Sequence, residues 1–326
     1  VVFVLTNSSK IVLLNDVKMH HPLHMALQAQ GVVFLSSAWD ITESLLRNAS
    51  ACFDCFYNCL RHPVRLFMLQ RKLRHYKVPL IAWNRDAPHY LNRSPWRLDW
   101  LDRARLLDIY ATHTLIDTRR FAEQVLYLPN AADTENYHLH GPEEAVFARL
   151  RDPAAYRYDV SFFGGMDGKR YKEDAEREQF FGALGERLKA RGLRVLFREA
   201  AGMSVAEQVE LIQTSRINLN FGARCEYGAP VASGLPERCF GIPACGGFLL
   251  CDRRTHARDD FSVGKNWAEF TDLEDCIAQI DYWLTHFDEA RALAEHCHRH
   301  VTTHHTYSQR AASLLAALFA WHASRK

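Results

Sequence analysis

The 326-residue sequence predicts an α/β chain of two doubly wound domains, and three observations carry that prediction. Short apolar runs alternate with longer helix-period segments throughout, the pattern of βαβ units and a parallel sheet. The length suits two domains of ordinary size, and hydrophobic residues make up 48% of the chain, enough for two cores. A polar stretch with two prolines, "HLHGPEEAVFARLRDPAAYRYD", separates the runs into two sets. The connection is therefore expected near residues 138–157, with a first domain over 1–140 and a second over 155–326.

In the first set the expected strands are "VVFVL", "GVVFLSS", "DCFY", "PLIAW", "DIYATH" and "VLYLP". Between them lies a basic helix, "RHPVRLFMLQRKLRHYK" (61–77), which carries Arg61, Arg65, Arg71, Lys72, Arg74 and Lys77 and no acid. Val64, Leu66, Leu69, Leu73 and Tyr76 are expected on its apolar side. Its cations either face solvent or meet anionic lipid or a phosphate-bearing acceptor. In the second set the strands are "YDVSFFG", "RVLFRE", "INLNFG", "GFLLCD" and "WAEFTD", with helices such as "EREQFFGALGERLKARG" and "VAEQVELIQTS" between them. A last apolar helix, Ser308 to His322, is expected to pack on either domain.

Composition excludes several classes. The formal charge of +2 argues against nucleic acid as the main partner. No apolar run reaches the roughly 18 residues of a membrane span. Without a secretory signal pattern the expected location is cytoplasmic, with peripheral membrane contact through 61–77 as the exception. The nine cysteines sit mostly in apolar strings and read as reduced core thiols. Cys52, Cys55 and Cys59 lie close together but have no fourth ligand at matching spacing, so no metal is expected. The histidines of "HCHRHVTTHH" read as a solvated helix face.

In open parallel sheets ligands bind beyond the carboxyl ends of the strands, so a site is expected there and in the cleft between the two domains. After "YDVSFF" comes "GGMDGKRY", where Gly164 and Gly165 permit close backbone approach and Lys169 and Arg170 supply cations. It reads either as a phosphate cradle leading into a helix or as a plain glycine turn. It matches neither a P-loop nor a dinucleotide fingerprint. Asn218 and Asn220 alternate along "INLNFG". Asn220, near the strand end, is expected to meet either backbone or a ligand. In "WNRDAPHY", Asp86 and His89 follow a strand end, so either is placed to act as a general base, or Asp86 caps a turn.

Taken together, several stretches resemble the CgeB-like glycosyltransferases, a branch of the GT-B enzymes. "YDVSFFGG", "LYLPNAADTENYH", "RCFGIPACGGFLLCD" and "VTTHHTYSQRAASLL" resemble that family's elements, and "AWNRDAPHY" is a looser match. The resemblance implies two Rossmann-like doubly wound domains facing across a cleft. It also implies transfer of a sugar from a nucleotide-sugar donor to an unknown acceptor (glycan, protein or lipid-linked), with no cofactor and no metal. In that picture Arg238 partners the diphosphate, and Gly246 and Gly247 allow its close approach. The chain departs from the family where Gly241 replaces a glutamate expected to hold the ribose. Glu237, one helical turn earlier, is the candidate replacement. Ala87 also replaces one of an acid pair. These two changes keep a non-catalytic nucleotide- or partner-binding protein as an alternative, beside a sugar-nucleotide epimerase.

Overall fold

The computed structural model describes residues 9–14, 21–36, 41–54, 62–88, 94–117, 119–170, 172–222, 226 and 231–325. It divides into two compact units, one of 1–130 plus 307–326 and one of 131–306.

The first unit contains β1 (Lys10–Leu13), α1 (Pro22–Ala29), β2 (Val33–Ser36), α2 (Glu43–Asn48), β3 (Ala51–Asp54), α3 (Pro63–His75), β4 (Leu80–Asn84), α4 (Pro95–Ala104), β5 (Leu107–Thr112) and β6 (Ala122–Tyr127). Its six described strands are all parallel, in the order β2-β1-β3-β4-β5-β6. Val12, Cys52, Leu80 and Tyr110 from the sheet pack with Leu66, Leu69 and Leu73 of α3 and Leu98 and Leu101 of α4. Each helix thus buries one stripe at i, i+3 or i+4 spacing. Val64, expected on the buried side of α3, is instead 75% exposed. It lies two residues before Leu66, about 200° round the helix, so the two face opposite ways. The first strand among the described residues is "KIVL", followed by the buried Leu14; the strand expected at "VVFVL" lies outside the described residues.

The second unit contains α5 (Glu143–Leu150), β7 (Tyr158–Gly164), α6 (Ala175–Ala190), β8 (Val195–Glu199), α7 (Val205–Gln213), β9 (Ser215–Asn220), α8 (Arg238–Ala244), β10 (Leu249–Asp252), α9 (Ala257–Asp260), β11 (Ala268–Phe270), α10 (Leu273–Thr285) and α11 (Phe287–His304). Its five strands are also all parallel, in the order β11-β10-β9-β7-β8. The sheet is covered on both faces. Val160, Phe162 and Leu250 enter one cluster with Phe181, Leu184 and Ile280. Phe163, Leu249 and Cys251 enter the other with Val209, Ile212 and Phe240. Strands buried on two sides read as continuous apolar runs, which is why β7 and β10 were plain in the sequence; β8, at the sheet edge, is only half-buried.

One boundary differs from expectation, and the terminal helix takes one of the two places left open for it. Residues 138–157 are part of the second unit, where α5 packs Val146, Phe147 and Leu150 against Tyr156 and Leu139. Their apolar stripe was masked by Glu143, Glu144, Arg149 and Arg151. The terminal helix α12 (Tyr307–Ala323) belongs to the first unit. There Ser308 O accepts from Gln30 Nε2 at 2.8 Å, and His322 Nε2 bonds Ser50 O at 2.9 Å.

Candidate functional site

In the second unit the chain order runs out from β7 to β8, then returns to β9 on the other side of β7. This is the 2-1-3-4-5 order, and its switch point is the gap between the carboxyl ends of β7 and β9. Gly164 ends β7 and Asn220 ends β9, so two of the expected donor-site residues flank that gap.

A third joins them from α8. Arg238 is the first residue of this helix, and its Nε donates to Asn220 Oδ1 at 3.0 Å. Its guanidinium lies 5.2 Å from the centroid of the Phe162 ring. A β-carbon built on Gly164 would sit 3.2 Å from Arg238 Nη1 and 2.5 Å from the Phe162 ring. A side chain at Gly164 would therefore collide with the Phe162 ring first and crowd the guanidinium beside it. Among the described residues no carboxylate pairs with Arg238. Burial pulls its guanidinium below the ordinary arginine value, and Arg254 nearby adds to that direction. A half-buried cation held among the described residues by an amide oxygen and a ring, with no ion pair, is well suited to an incoming anion.

Asn220 is held from the other side. Its Nδ2 donates to Asp252 Oδ1 at 2.7 Å, at the carboxyl end of β10. Asp252 in turn accepts from Arg254 Nε at 3.2 Å and from the Gly222 amide at 3.0 Å. Arg254 is fully buried, and its Nη1 donates to Glu226 Oε2 at 2.7 Å and to the Gly234 carbonyl. Glu226 Oε1 accepts from the amides of Ser233 at 2.8 Å and Gly234 at 2.6 Å. Burial opposes both charges. Asp252 and Glu226 still hold Arg254 well above its ordinary value, and Arg254 with the two amides holds Glu226 below its own. The result is one connected chain from Glu226 through Arg254, Asp252 and Asn220 to Arg238. Arg177 closes the other side: it donates to Gly165 O at 2.6 Å and Phe221 O at 3.0 Å, joining the loops after β7 and β9.

The remaining expected residues fall in different places. Lys169 and Arg170 are exposed on the loop after β7. Asn218 is a core peg, donating to Ile212 O and Phe248 O. Glu237 is exposed at the start of α8, and its charge acts on Tyr137. The Tyr137 hydroxyl is pushed up to about 12 by burial and then by Glu237, and it donates to Gln208 Oε1 at 2.6 Å. The Tyr137 ring stands 3.6 Å from where a Gly241 β-carbon would be. In the first unit Asp86 is half-buried after β4, with its amide donating to Asn84 Oδ1 at 3.0 Å. His89 lies outside the described residues.

Gly246 and Gly247 do not join the group around Arg238. They follow the C-terminus of α8, whereas Arg238 begins it, and they precede β10, whereas Asp252 ends it. That puts them at the amino edge of the sheet. Both are buried against the chain's own core. A β-carbon on Gly246 would lie 2.9 Å from Leu139, and one on Gly247 2.5 Å from Ile212. With φ at +76°, Gly246 is also in the left-handed region. The pair turns a helix tightly into a strand, at the edge of the sheet opposite Arg238. Arg177, Glu226, Asp252, Arg254 and Tyr137 were not singled out in the sequence; only the sheet order brings them to the site.

Two doubly wound parallel sheets with this site at the switch point of the second belong to the GT-B class of α/β proteins. The chain is similar to sucrose-phosphate synthase from Thermosynechococcus elongatus at 10% identity and a TM-score of 0.65, over 97% of this chain and 100% of that one. It is also similar to Anabaena Alr3699/HepE, solved with UDP and glucose, at 10% identity and a TM-score of 0.61, over 96% and 100%. A third likeness is to α,α-trehalose 6-phosphate synthase from Burkholderia multivorans, at 11% identity and a TM-score of 0.60, over 98% and 100%. At such identities the likeness is one of fold. The chain belongs to the glycosyl transferase-like family, whose model matches residues 144–316, just over half its length. No curated protein matches it.

Proposed function

We propose that the protein is a glycosyltransferase of CgeB-like type that moves a hexosyl group from a nucleoside-diphosphate sugar to an acceptor hydroxyl. The observation that carries this reading is Arg238: a half-buried guanidinium at the switch point, held by Asn220, with no carboxylate partner among the described residues. The donor diphosphate is placed against Arg238, beside Gly164 and Gly165, with Lys169 and Arg170 as exposed cations at the rim. The complex of Anabaena Alr3699/HepE with UDP-glucose, a chain of the same fold, supports a uridine nucleotide as the first donor to try. In the reaction the acceptor oxygen bonds to the anomeric carbon as the bond from that carbon to the diphosphate oxygen breaks. The diphosphate leaves with the electron pair, and Arg238 offsets its growing charge without a metal. The acceptor proton goes to Asp86 or His89 if configuration inverts, and to the leaving diphosphate oxygen if it is retained.

Titration calorimetry with UDP tests the reading, beside UDP-glucose turnover measured with and without EDTA. Arg238→Ala is expected to weaken UDP binding by about 1.5–3 kcal/mol, the usual range for a hydrogen bond to a charged group. EDTA is expected to leave turnover unchanged. Unaltered affinity in the variant would remove Arg238 from the site, and loss of turnover in EDTA restored by Mn²⁺ would remove the metal-free mechanism. UDP binding with neither transfer nor donor hydrolysis would favour a non-catalytic binding protein, the reading that Gly241 and Ala87 motivate.

A further inference from the structure

One face of the first unit gathers side chains that neither the core nor the donor site uses. On α3, Val64, Phe67 and Met68 are 75%, 44% and 60% exposed, at i, i+3 and i+4. On α4, Trp96 and Trp100, again i and i+4, are 68% and 43% exposed. Val64, Trp96 and Trp100 line a single open groove, and Arg65 and Arg97 complete its walls. Single exposed apolar residues are ordinary, whereas several large ones beside one groove mark an interaction surface.

Among the described residues α3 carries no acid, and the two acids of α4 are engaged away from the groove: Asp99 accepts from Arg119 Nε at 2.9 Å and Asp102 from the Arg120 amide at 2.6 Å. Arg65, Arg71, Lys72 and Arg74 project from α3, and no acid occurs between residues 61 and 77. Among the described residues Arg65, Arg71, Arg74 and Arg97 have no carboxylate partner. Arg97 reaches only the Trp96 ring, 5.3 Å from its centroid.

We propose that this face docks on an anionic lipid bilayer. Trp96 and Trp100 sit at headgroup depth, Val64, Phe67 and Met68 enter the acyl boundary, and Arg65, Arg71, Arg74 and Arg97 meet lipid phosphates. The aliphatic members decide between polyanions. A nucleic acid would stack on the tryptophans and pair with the arginines but would leave Val64 and Met68 in water, whereas a bilayer covers both. The attachment is to the surface, because no helix among the described residues is long and apolar enough to cross a membrane. The inference does not rest on the donor-site reading, and its test does not use transferase activity.

The full chain is floated with vesicles of phosphatidylcholine alone and of phosphatidylcholine mixed with phosphatidylglycerol. Binding to the mixed vesicles only is expected, weakening as salt is added. Tryptophan fluorescence should be quenched by brominated acyl chains. Arg65→Glu with Arg97→Glu should lower partitioning roughly tenfold or more. Trp96→Ser with Trp100→Ser should abolish most of the quenching. All four positions are exposed, so thermal unfolding should show intact folds; Arg65→Gln with Arg97→Gln is the milder pair if the charge reversal disturbs folding. The proposal is overturned if the parent chain stays off anionic vesicles at low salt, or binds neutral vesicles equally. It is also overturned if both double variants partition like the parent, or if single-stranded RNA is bound and vesicles are not.

Discussion

Gly246 and Arg238 separate two meanings that a glycine-rich motif carries in a sequence. Both stand in one block, "RCFGIPACGG", and the resemblance assigned both to a diphosphate. Arg238 begins the seven-residue helix α8 and Gly246 lies past its end, so they occupy opposite edges of the sheet. Gly246 has a positive φ and no room for a β-carbon beside Leu139, Phe147 and Leu150. Its requirement is for folding. Gly246→Ala is therefore expected to destabilise the protein by about 1–3 kcal/mol, from left-handed strain and overpacking together. The folded fraction should bind UDP as the parent does. Urea denaturation followed by calorimetry checks both halves; a fully stable variant with weakened binding would return Gly246 to the nucleotide site. The composition of the block was legible, but the sheet edge on which each residue falls was not. Helix length and strand direction decide the edge, and neither can be read from a conserved-looking string of small residues.

At the scale of the element, α8 is a helix that its own sequence supports poorly. It is short, carries Pro243 and has no side-chain hydrogen bond at its N-cap, Glu237. Isolated helices of that length are not stable in water. Its start is fixed instead by the Glu226–Arg254 pair, which grips the Ser233 and Gly234 amides just upstream. Removing one partner of a buried pair leaves an uncompensated charge, so Arg254→Met should cost about 3–5 kcal/mol. UDP binding should also weaken, because Asp252, Asn220 and Arg238 lie further along the same chain of bonds. The pH dependence has a definite sign. Glu226 is held below the ordinary glutamate value of 4.5, so its contribution is fully present above that value and is lost as pH falls through the lower folded one. The stability gap between the parent and Glu226→Gln should then be widest near neutrality and shrink in acid. Urea midpoints at a series of pH values measure it, and a gap independent of pH would show that Glu226 is not charged in the fold. None of this network was legible. Glu226, Asp252 and Arg254 are unremarkable charges in the sequence, and they meet only because β9 and β10 are neighbours.

For the whole molecule, the alternation of runs and helices was enough to read two doubly wound units, because parallel strands buried on both faces leave long apolar strings. The seam between the units was harder to read. An amphipathic helix as short as α5 shows more charge than stripe, so the polar segment around it looks like a connection. The structure sets the seam at Asn130 and returns α12 to the first unit. Its Arg310 Nε donates to Pro129 O at 3.1 Å, and its Tyr307 ring packs edge-on to His21. Among the described residues the two clusters that sandwich the second sheet draw only on the second unit. So do Gly164, Asn220, Arg238 and Arg254. A fragment of residues 131–306 is therefore expected to unfold in one cooperative transition and to retain UDP binding. The first unit, by contrast, is discontinuous. Residues 1–130 alone would expose the surface that α12 covers and lose the partners of Gln30 and Ser50. They should show no cooperative transition until 307–326 is joined back by a flexible linker. Circular dichroism melts of the three chains, with UDP titrated into the 131–306 fragment, give the comparison. A cooperative 1–130 fragment would show that α12 is dispensable to that core. A folded 131–306 fragment without UDP affinity would mean that the donor site draws on the first unit as well.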